Sequence, residues 1–226
     1  KGLRKGFEGA QDWDLILRVT EKLSKESIIH IPKILYHWRA IKGSTALGVL
    51  QKKNIFEATA LTINQALERR GLNASLSFPD RRYNYPKIGF KIDKRQNPKV
   101  SILIPTKDRV DLMKKCLSSI LKNISYDNYE VIIIDNESVE SQSISFFSSI
   151  KKDRRVSVIR VEGDFNYSRL NNIAASKANG EILLLLNNDI ESIKVGWFEE
   201  MLVHALRPEI GCVGAKLLYP DGRLQH

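Results

Sequence analysis

The chain has 226 residues, 42% of them hydrophobic and 27% charged, an ordinary globular balance that suits one large domain or two small ones. No window approaches the roughly 18 to 20 consecutive apolar residues of a membrane-spanning helix, and no charged-then-apolar leader stands at the start, so a soluble, cytoplasmic chain is expected. The net charge of +10 lies in one half: residues 1–98 hold 19 Lys and Arg against nine Asp and Glu, whereas residues 99–226 hold 17 of each.

In chain order, Gln11 to Leu23 reads as a helix and Ile28 to Trp38 as strand-like. Asn54 to Arg70 carries Ile55, Ala58, Leu61, Ala66 and Leu67 at helical spacing, ends on two arginines and is followed by Gly71, which predicts one amphipathic helix. The stretch from Asn73 to Pro98, with three prolines and many basic and Tyr residues, predicts an extended linker with one strand near Ile88 to Ile92. From Lys99 onward strands and helices alternate. Val100 to Ile104 is a β-branched run, and Val110, Met113, Leu117, Ile120 and Ile124 then recur at helical spacing. Val131 to Ile134 makes a second strand, Ser141 to Ile150 a helix, and Val156 to Val161 a third strand. Ser168 to Ala178 is helical and stops at Asn179-Gly180. Ile182 to Leu186 is five aliphatic residues in a row, which suits a central strand buried on both faces. A last helix spans Val195 to Leu206, and Cys212 to Ala215 is expected as a fifth strand. Neither Cys116 nor Cys212 has a partner at metal-ligand spacing, so both are expected as reduced core residues.

Such alternation predicts an α/β fold with a mostly parallel sheet, because parallel neighbours need a crossover connection. Ligands of such sheets bind outside the carboxyl ends of the strands, where three polar clusters fall. Asn187-Asn188-Asp189 ends a buried strand. Its carboxylate suits Mg²⁺ or Mn²⁺ shared with substrate phosphates, but an Asx turn explains the triplet as well. Asp135 closes the second strand, either to read the edge of a base or as a turn, with Ser138 capping the next helix. The loop from Pro105 through Thr106 to Asp108 offers groups to a base and ribose. No G-x-G-x-x-G follows the first strand and no P-loop motif occurs, which removes the main support for dinucleotide oxidoreductases and P-loop hydrolases.

Together the segments VSILIPTKDR (100–109), IIDNES (133–138), FNYSRLNN (165–172), LLLNNDIE (184–191) and GAKLLYPDGRLQH (214–226) resemble the first half of a family-2 glycosyltransferase domain of the Rossmann-like GT-A fold. By that resemblance Pro105, Thr106, Asp108, Asp135, Asn136, Arg169, Asn187 and Asn188 would bind a nucleoside-diphosphate sugar. Asp189 would hold the divalent metal, Mn²⁺ or Mg²⁺. The chain departs from the family pattern at Asn187, which replaces the first acid of the Asp-x-Asp motif, and at Asn136, where many members have Asp.

Residues 1–50 resemble a different part of the same family. GAQDWDLILR (9–18) is similar to the Glu-Asp-x-Asp-Leu-x-x-Arg segment late in the catalytic domain, which makes Asp12 the general base that deprotonates the acceptor, with Gln11 in place of Glu. YHWR (36–39) is similar to the late His segment, which gives His37 a contact to metal or diphosphate. The order is inverted for one domain. The resemblance therefore implies two transferase domains in tandem: 1–50 ends the first, 51–98 is a helix and basic linker, and 99–226 begins the second. A piece of a longer protein is expected, since the chain starts at Lys1 and stops at His226 just after a turn. The implied reaction is inverting sugar transfer to a glycan or lipid-linked glycan in cell-surface polysaccharide synthesis. The alternative is a non-catalytic nucleotide-sugar-binding module. No nucleic-acid partner is expected; the basic half suits peripheral contact with the inner face of the membrane, or simply a solvated surface.

Overall fold

The computed structural model describes residues 2–42, 54–93 and 95–225, arranged as two compact units, Lys1–Lys91 and Ile92–His226. The expected boundary at residue 50 lies outside the described residues. Among them, no helix is long and apolar enough to cross a membrane.

In the first unit, α1 (Gln11–Thr20) packs on α2 (Ile55–Arg69), and Arg69 binds Glu21 through Nε at 2.7 Å and Nη2 at 2.9 Å. The apolar face of α2, including Ile55, Phe56, Ile63 and Leu67, is buried. The strand expected near Ile88 to Ile92 forms, but the stretch before it is more than an extended linker. β1 (Ala74–Ser77) and β2 (Lys87–Phe90) pair antiparallel, and Phe78 meets Phe56 edge to face at 5.2 Å, so much of 73–91 belongs to this unit's body. The strand expected over Ile28 to Trp38 is absent. A short 3₁₀ turn at Lys25–Ser27 leads into exposed chain with no ladder partner among the described residues, and apolar alternation makes a strand only when a neighbour supplies hydrogen bonds.

The second unit is a four-stranded parallel sheet in the order β5-β4-β3-β6: β5 is Val156–Arg160, β4 Tyr129–Asp135, β3 Val100–Thr106 and β6 Ile182–Leu185. Pleat alternation gives β3 and β4 two buried faces. Val100, Ile102, Ile104, Val131 and Ile133 pack with α3 (Val110–Asn123), α4 (Ser141–Ile150) and α6 (Trp197–Ala205), whereas Leu103, Ile132 and Ile134 pack with Leu170 and Ala174 of α5 (Tyr167–Ala175). Each fully buried Ile or Leu stabilises the fold by roughly 1.5–3 kcal/mol.

Two expectations about this sheet fail. β6 is an edge strand, with Leu183 and Leu185 about half exposed at 45% and 51%, because residues 212–215 add no strand beyond it. Beyond α6 there is only an isolated antiparallel bridge between Leu218 and Leu224, and Cys212 is exposed while Cys116 is buried. Gly180 explains how the chain enters β6. Its N–H donates to Ser101 Oγ at 2.9 Å, and a Cβ there would lie 2.6 Å from Ser101 N and 2.8 Å from Lys99 O, so only glycine permits the approach.

Candidate functional site

Because all four strands run the same way, their carboxyl ends share one edge, and Thr106 lies in register with Asp135 there. The β3–β6 ladder stops at Leu103 and Leu185, with Leu186 N–H closing on Leu103 O at 3.0 Å. Pro105 bonds on the same side of β3 as Leu103, so the N–H that proline lacks falls just past the end of that ladder, where no partner is lost. There the strands diverge, and Asn188 bridges the gap by donating Nδ2–H to Thr106 Oγ1 at 2.9 Å.

Backbone strain gathers at this edge. The non-glycine residues with positive φ among the described residues are Asp108 (49°), Arg109 (47°) and Glu137 (57°), all in the loops after β3 and β4. The loops are cross-tied. Asp108 Oδ1 accepts the N–H groups of Val139 and Glu140, both at 2.9 Å, and Asp108 N–H donates to Ser138 Oγ at 2.7 Å. Ser138 was expected to cap α4; instead Asp108 takes the amides entering that helix, from a loop some 30 residues away.

Asp135 is buried, with Oδ1 accepting Ser138 N–H at 2.8 Å and Oδ2 accepting Arg160 Nη1 at 2.9 Å. Both oxygens are engaged within the protein, so Asp135 shapes the turn as well as facing the edge. Asn136, 1% exposed, donates Nδ2–H to Val161 O at 3.2 Å and Gly163 O at 2.8 Å, and its Oδ1 is buried with no donor. An Asp in this place could not donate to those carbonyls. Arg169, expected on the donor, directs Nη2 to Glu162 O at 2.8 Å and Asp164 O at 3.4 Å, while its N–H is capped by Asn166 Oδ1 at 2.9 Å. Part of its guanidinium is thus structural.

The triplet after β6 is exposed at Asn187 and Asp189 and half-buried at Asn188. Asn187 O accepts the Cys116 thiol at 3.5 Å. Burial, and next the negative charge of Asp189, push that thiol up to about 12, which keeps Cys116 an uncharged packing residue. No group of three or more His, Cys, Asp or Glu suited to a metal occurs among the described residues. The donor set still fits Mg²⁺ or Mn²⁺ in one form: a single exposed carboxylate with neighbouring amide oxygens, the remaining positions filled by phosphate oxygens and water.

In the first unit, Asp12 is exposed in the first turn of α1, and His37 is exposed in the stretch after the 3₁₀ turn. Asp14 differs from Asp12. It is buried between Arg4 and Arg18, and the Arg4 hydrogen bonds, against burial and aided by Arg18, hold its carboxyl at about 2. Sequence reasoning missed this ion triad and also Arg160: Arg18 stands at i,i+4 spacing from Asp14 within α1, but Arg4 and Arg160 reach their aspartates from 10 and 25 positions away.

The sequence profile of Glycosyl transferase family 2 matches residues 101–225, more than half of the chain and all of the four-stranded sheet but Val100. The chain belongs to this family. Its similarity extends beyond the matched region. It is 42% identical over 225 residues to "Uncharacterized protein y4gI" of Sinorhizobium fredii (strain NBRC 101917 / NGR234), covering 99% of this chain and 24% of that protein. It is 38% identical over 228 aligned positions to "O-antigen biosynthesis protein RfbC" of Myxococcus xanthus, covering 100% of this chain and 17% of that protein. The chain therefore spans a quarter or less of the length of these curated relatives. Among solved structures it is similar to the mannosyltransferase PcManGT from Pyrobaculum calidifontis in complex with GDP-Man and Mn2+, at 18% identity and a TM-score of 0.46 over 72% of this chain and 45% of that one.

Proposed function

We propose that the parent protein is a metal-assisted, inverting glycosyltransferase that moves a sugar from a nucleoside diphosphate to a glycan or lipid-linked glycan in cell-surface polysaccharide synthesis. The observation that carries this reading is the convergence of the loops after β3, β4 and β6 on one sheet edge, tied by Asn188 and Thr106, within a family-2 domain. In this reading Asp189 and the Asn187 and Asn188 amide oxygens hold Mn²⁺ or Mg²⁺, and the loops after β3 and β4 seat the nucleoside. The bound cation supplies positive charge to the departing diphosphate. Pro105 and Thr106 keep the floor of the site dry and fixed, while the 135–138 turn orients the loop above it.

Asp12 would serve as general base for a transferase domain preceding this one. Supporting this assignment, Asp14, the other acid of the segment, is neutralised by two arginines and shielded from acceptor, whereas Asp12 is accessible. The two long relatives match the same order of segments end to end, which supports a tandem arrangement. The surplus positive charge of residues 1–98 would face a membrane carrying the acceptor.

The test is thermal. Uridine or guanosine diphosphate should raise the melting temperature only when Mn²⁺ or Mg²⁺ is present, by mass action on the native state. Asp189→Ala should abolish the metal-dependent shift; an unchanged shift would leave the triplet as a simple turn.

A further inference from the structure

The loop joining β5 to α5 is pinned by side chains on both of its flanks. Within residues 161–164, Asn136 binds the carbonyls of Val161 and Gly163, Glu137 Oε2 accepts Gly163 N–H at 3.0 Å, and Arg169 binds the carbonyls of Glu162 and Asp164. Asn166 then caps α5. Directly on this pinned backbone stands Phe165, 67% exposed, with no ring or cation packed on it among the described residues. An aromatic ring held out by a rigid loop keeps its face available, and the usual relief of folding back onto the surface is denied to it.

Position selects the occupant. β5 and β6 are the two ends of the four-strand order, three strand spacings of about 4.8 Å or roughly 14 Å apart. A nucleoside diphosphate lying along the sheet edge with its phosphates at Asp189 would carry its base across to the β4 and β5 ends, where the loop bearing Phe165 is tied to Asn136 and Glu137. We infer that Phe165 is the stacking surface for the base of the donor nucleotide. This inference rests on the donor-site reading above. A stacking contact tolerates any base, so the phenyl ring would add affinity without choosing among bases.

The test uses the 226-residue chain in MnCl₂, titrated calorimetrically with uridine diphosphate, guanosine diphosphate and inorganic pyrophosphate. Wild-type chain should bind both nucleotides more tightly than pyrophosphate. Phe165→Ala should weaken both nucleotides roughly tenfold and leave pyrophosphate unchanged, and Phe165→Trp should retain nucleotide affinity. Phe165 is exposed, so its truncation leaves no core cavity, and an unchanged ligand-free melting temperature verifies that the fold is intact. Nucleotide affinities within twofold of wild type in Phe165→Ala, or an equal loss for pyrophosphate, overturn the inference while the donor site stands. Wild-type chain that binds pyrophosphate as tightly as the nucleotides overturns it as well. Wild-type chain that binds none of the three overturns the donor-site reading and this inference together.

Discussion

Asn188 lies in the turn after β6 and Thr106 at the end of β3, past the point where the two strands pair, yet the Asn188 amide donates to the Thr106 hydroxyl at 2.9 Å. The β3–β6 ladder has already ended at Leu103 and Leu185, so this side-chain bond continues the work of the ladder for one more step. It fixes the turn carrying Asp189 relative to the floor of the site. Thr106→Val keeps the shape and removes the acceptor. A hydrogen bond of this kind contributes about 1 kcal/mol, so stability should fall by roughly that amount. Metal-dependent nucleotide affinity should fall several-fold as the turn loosens. Calorimetric titration checks this, and unchanged affinity would mean the turn is held elsewhere.

Gly180 offers a test of the fold that removes no interaction. In Gly180→Ala the new Cβ would meet backbone atoms of Ser101 and Lys99 at 2.6 and 2.8 Å, and backbone cannot step aside as a side chain can. The expected loss is about 2 kcal/mol or more, measured by denaturant unfolding. A loss below about 0.5 kcal/mol would show that the α5–β6 connection can shift.

Beside that glycine, Glu130 gathers Lys99 Nζ at 2.8 Å, Ser101 Oγ at 2.7 Å and Asn179 N–H at 2.7 Å. Burial pushes its carboxyl up, but Lys99, the Asn179 N–H and Ser101 outweigh burial and bring it to about 2. A carboxyl lowered from its ordinary 4.5 contributes stability that is complete above that value and is lost as pH falls from about 4.5 toward 2. Glu130→Gln should cost about 2 kcal/mol at neutral pH and flatten the acid limb of the stability profile. Parallel pH profiles for the two proteins would contradict this.

How far the sequence foretold the structure depends on what each feature required. β3 and β4 were legible because strands buried on both faces carry dense aliphatic runs, and Asn179-Gly180 marked a helix end through its own chemistry. β6 carries a similar run, but edge or centre depends on whether another strand arrives, and residues 212–215 do not supply one. β2 was expected near Ile88 to Ile92, but β1 and its pairing with β2 were hidden by prolines and by strands of four residues each. At the site, the polar loops and their shared edge followed from topology. The pairing of Asp135 with Arg160 and the service of Asp108 to α4 did not, since both join residues at least 25 positions apart.

Asp12 and Asp14 lie two residues apart and should respond oppositely to the same change. Asp14, 1% exposed, is held by Arg4 and Arg18, whose side chains are themselves only 27% and 16% exposed. Asp14→Asn would leave two partly buried guanidinium groups facing a neutral amide, and removing one partner of a buried ion cluster costs about 3 to 5 kcal/mol. Partial exposure of both arginines brings the expectation down to roughly 2 to 3 kcal/mol. The pH sign follows the same logic: with the Asp14 carboxyl lowered from 3.8 to about 2, its contribution is complete above 3.8 and is lost as pH falls toward 2. Asp12 is exposed, so Asp12→Asn should change stability by less than about 0.5 kcal/mol. On the tandem reading proposed above, Asp12→Asn in a longer parent protein would reduce sugar transfer by roughly 100-fold or more, the scale of a lost general base. Unfolding curves on the chain and transfer assays on the parent separate the two roles. Should Asp12→Asn destabilise as much as Asp14→Asn while transfer persists, the base assignment fails and Asp12 is a structural residue of α1.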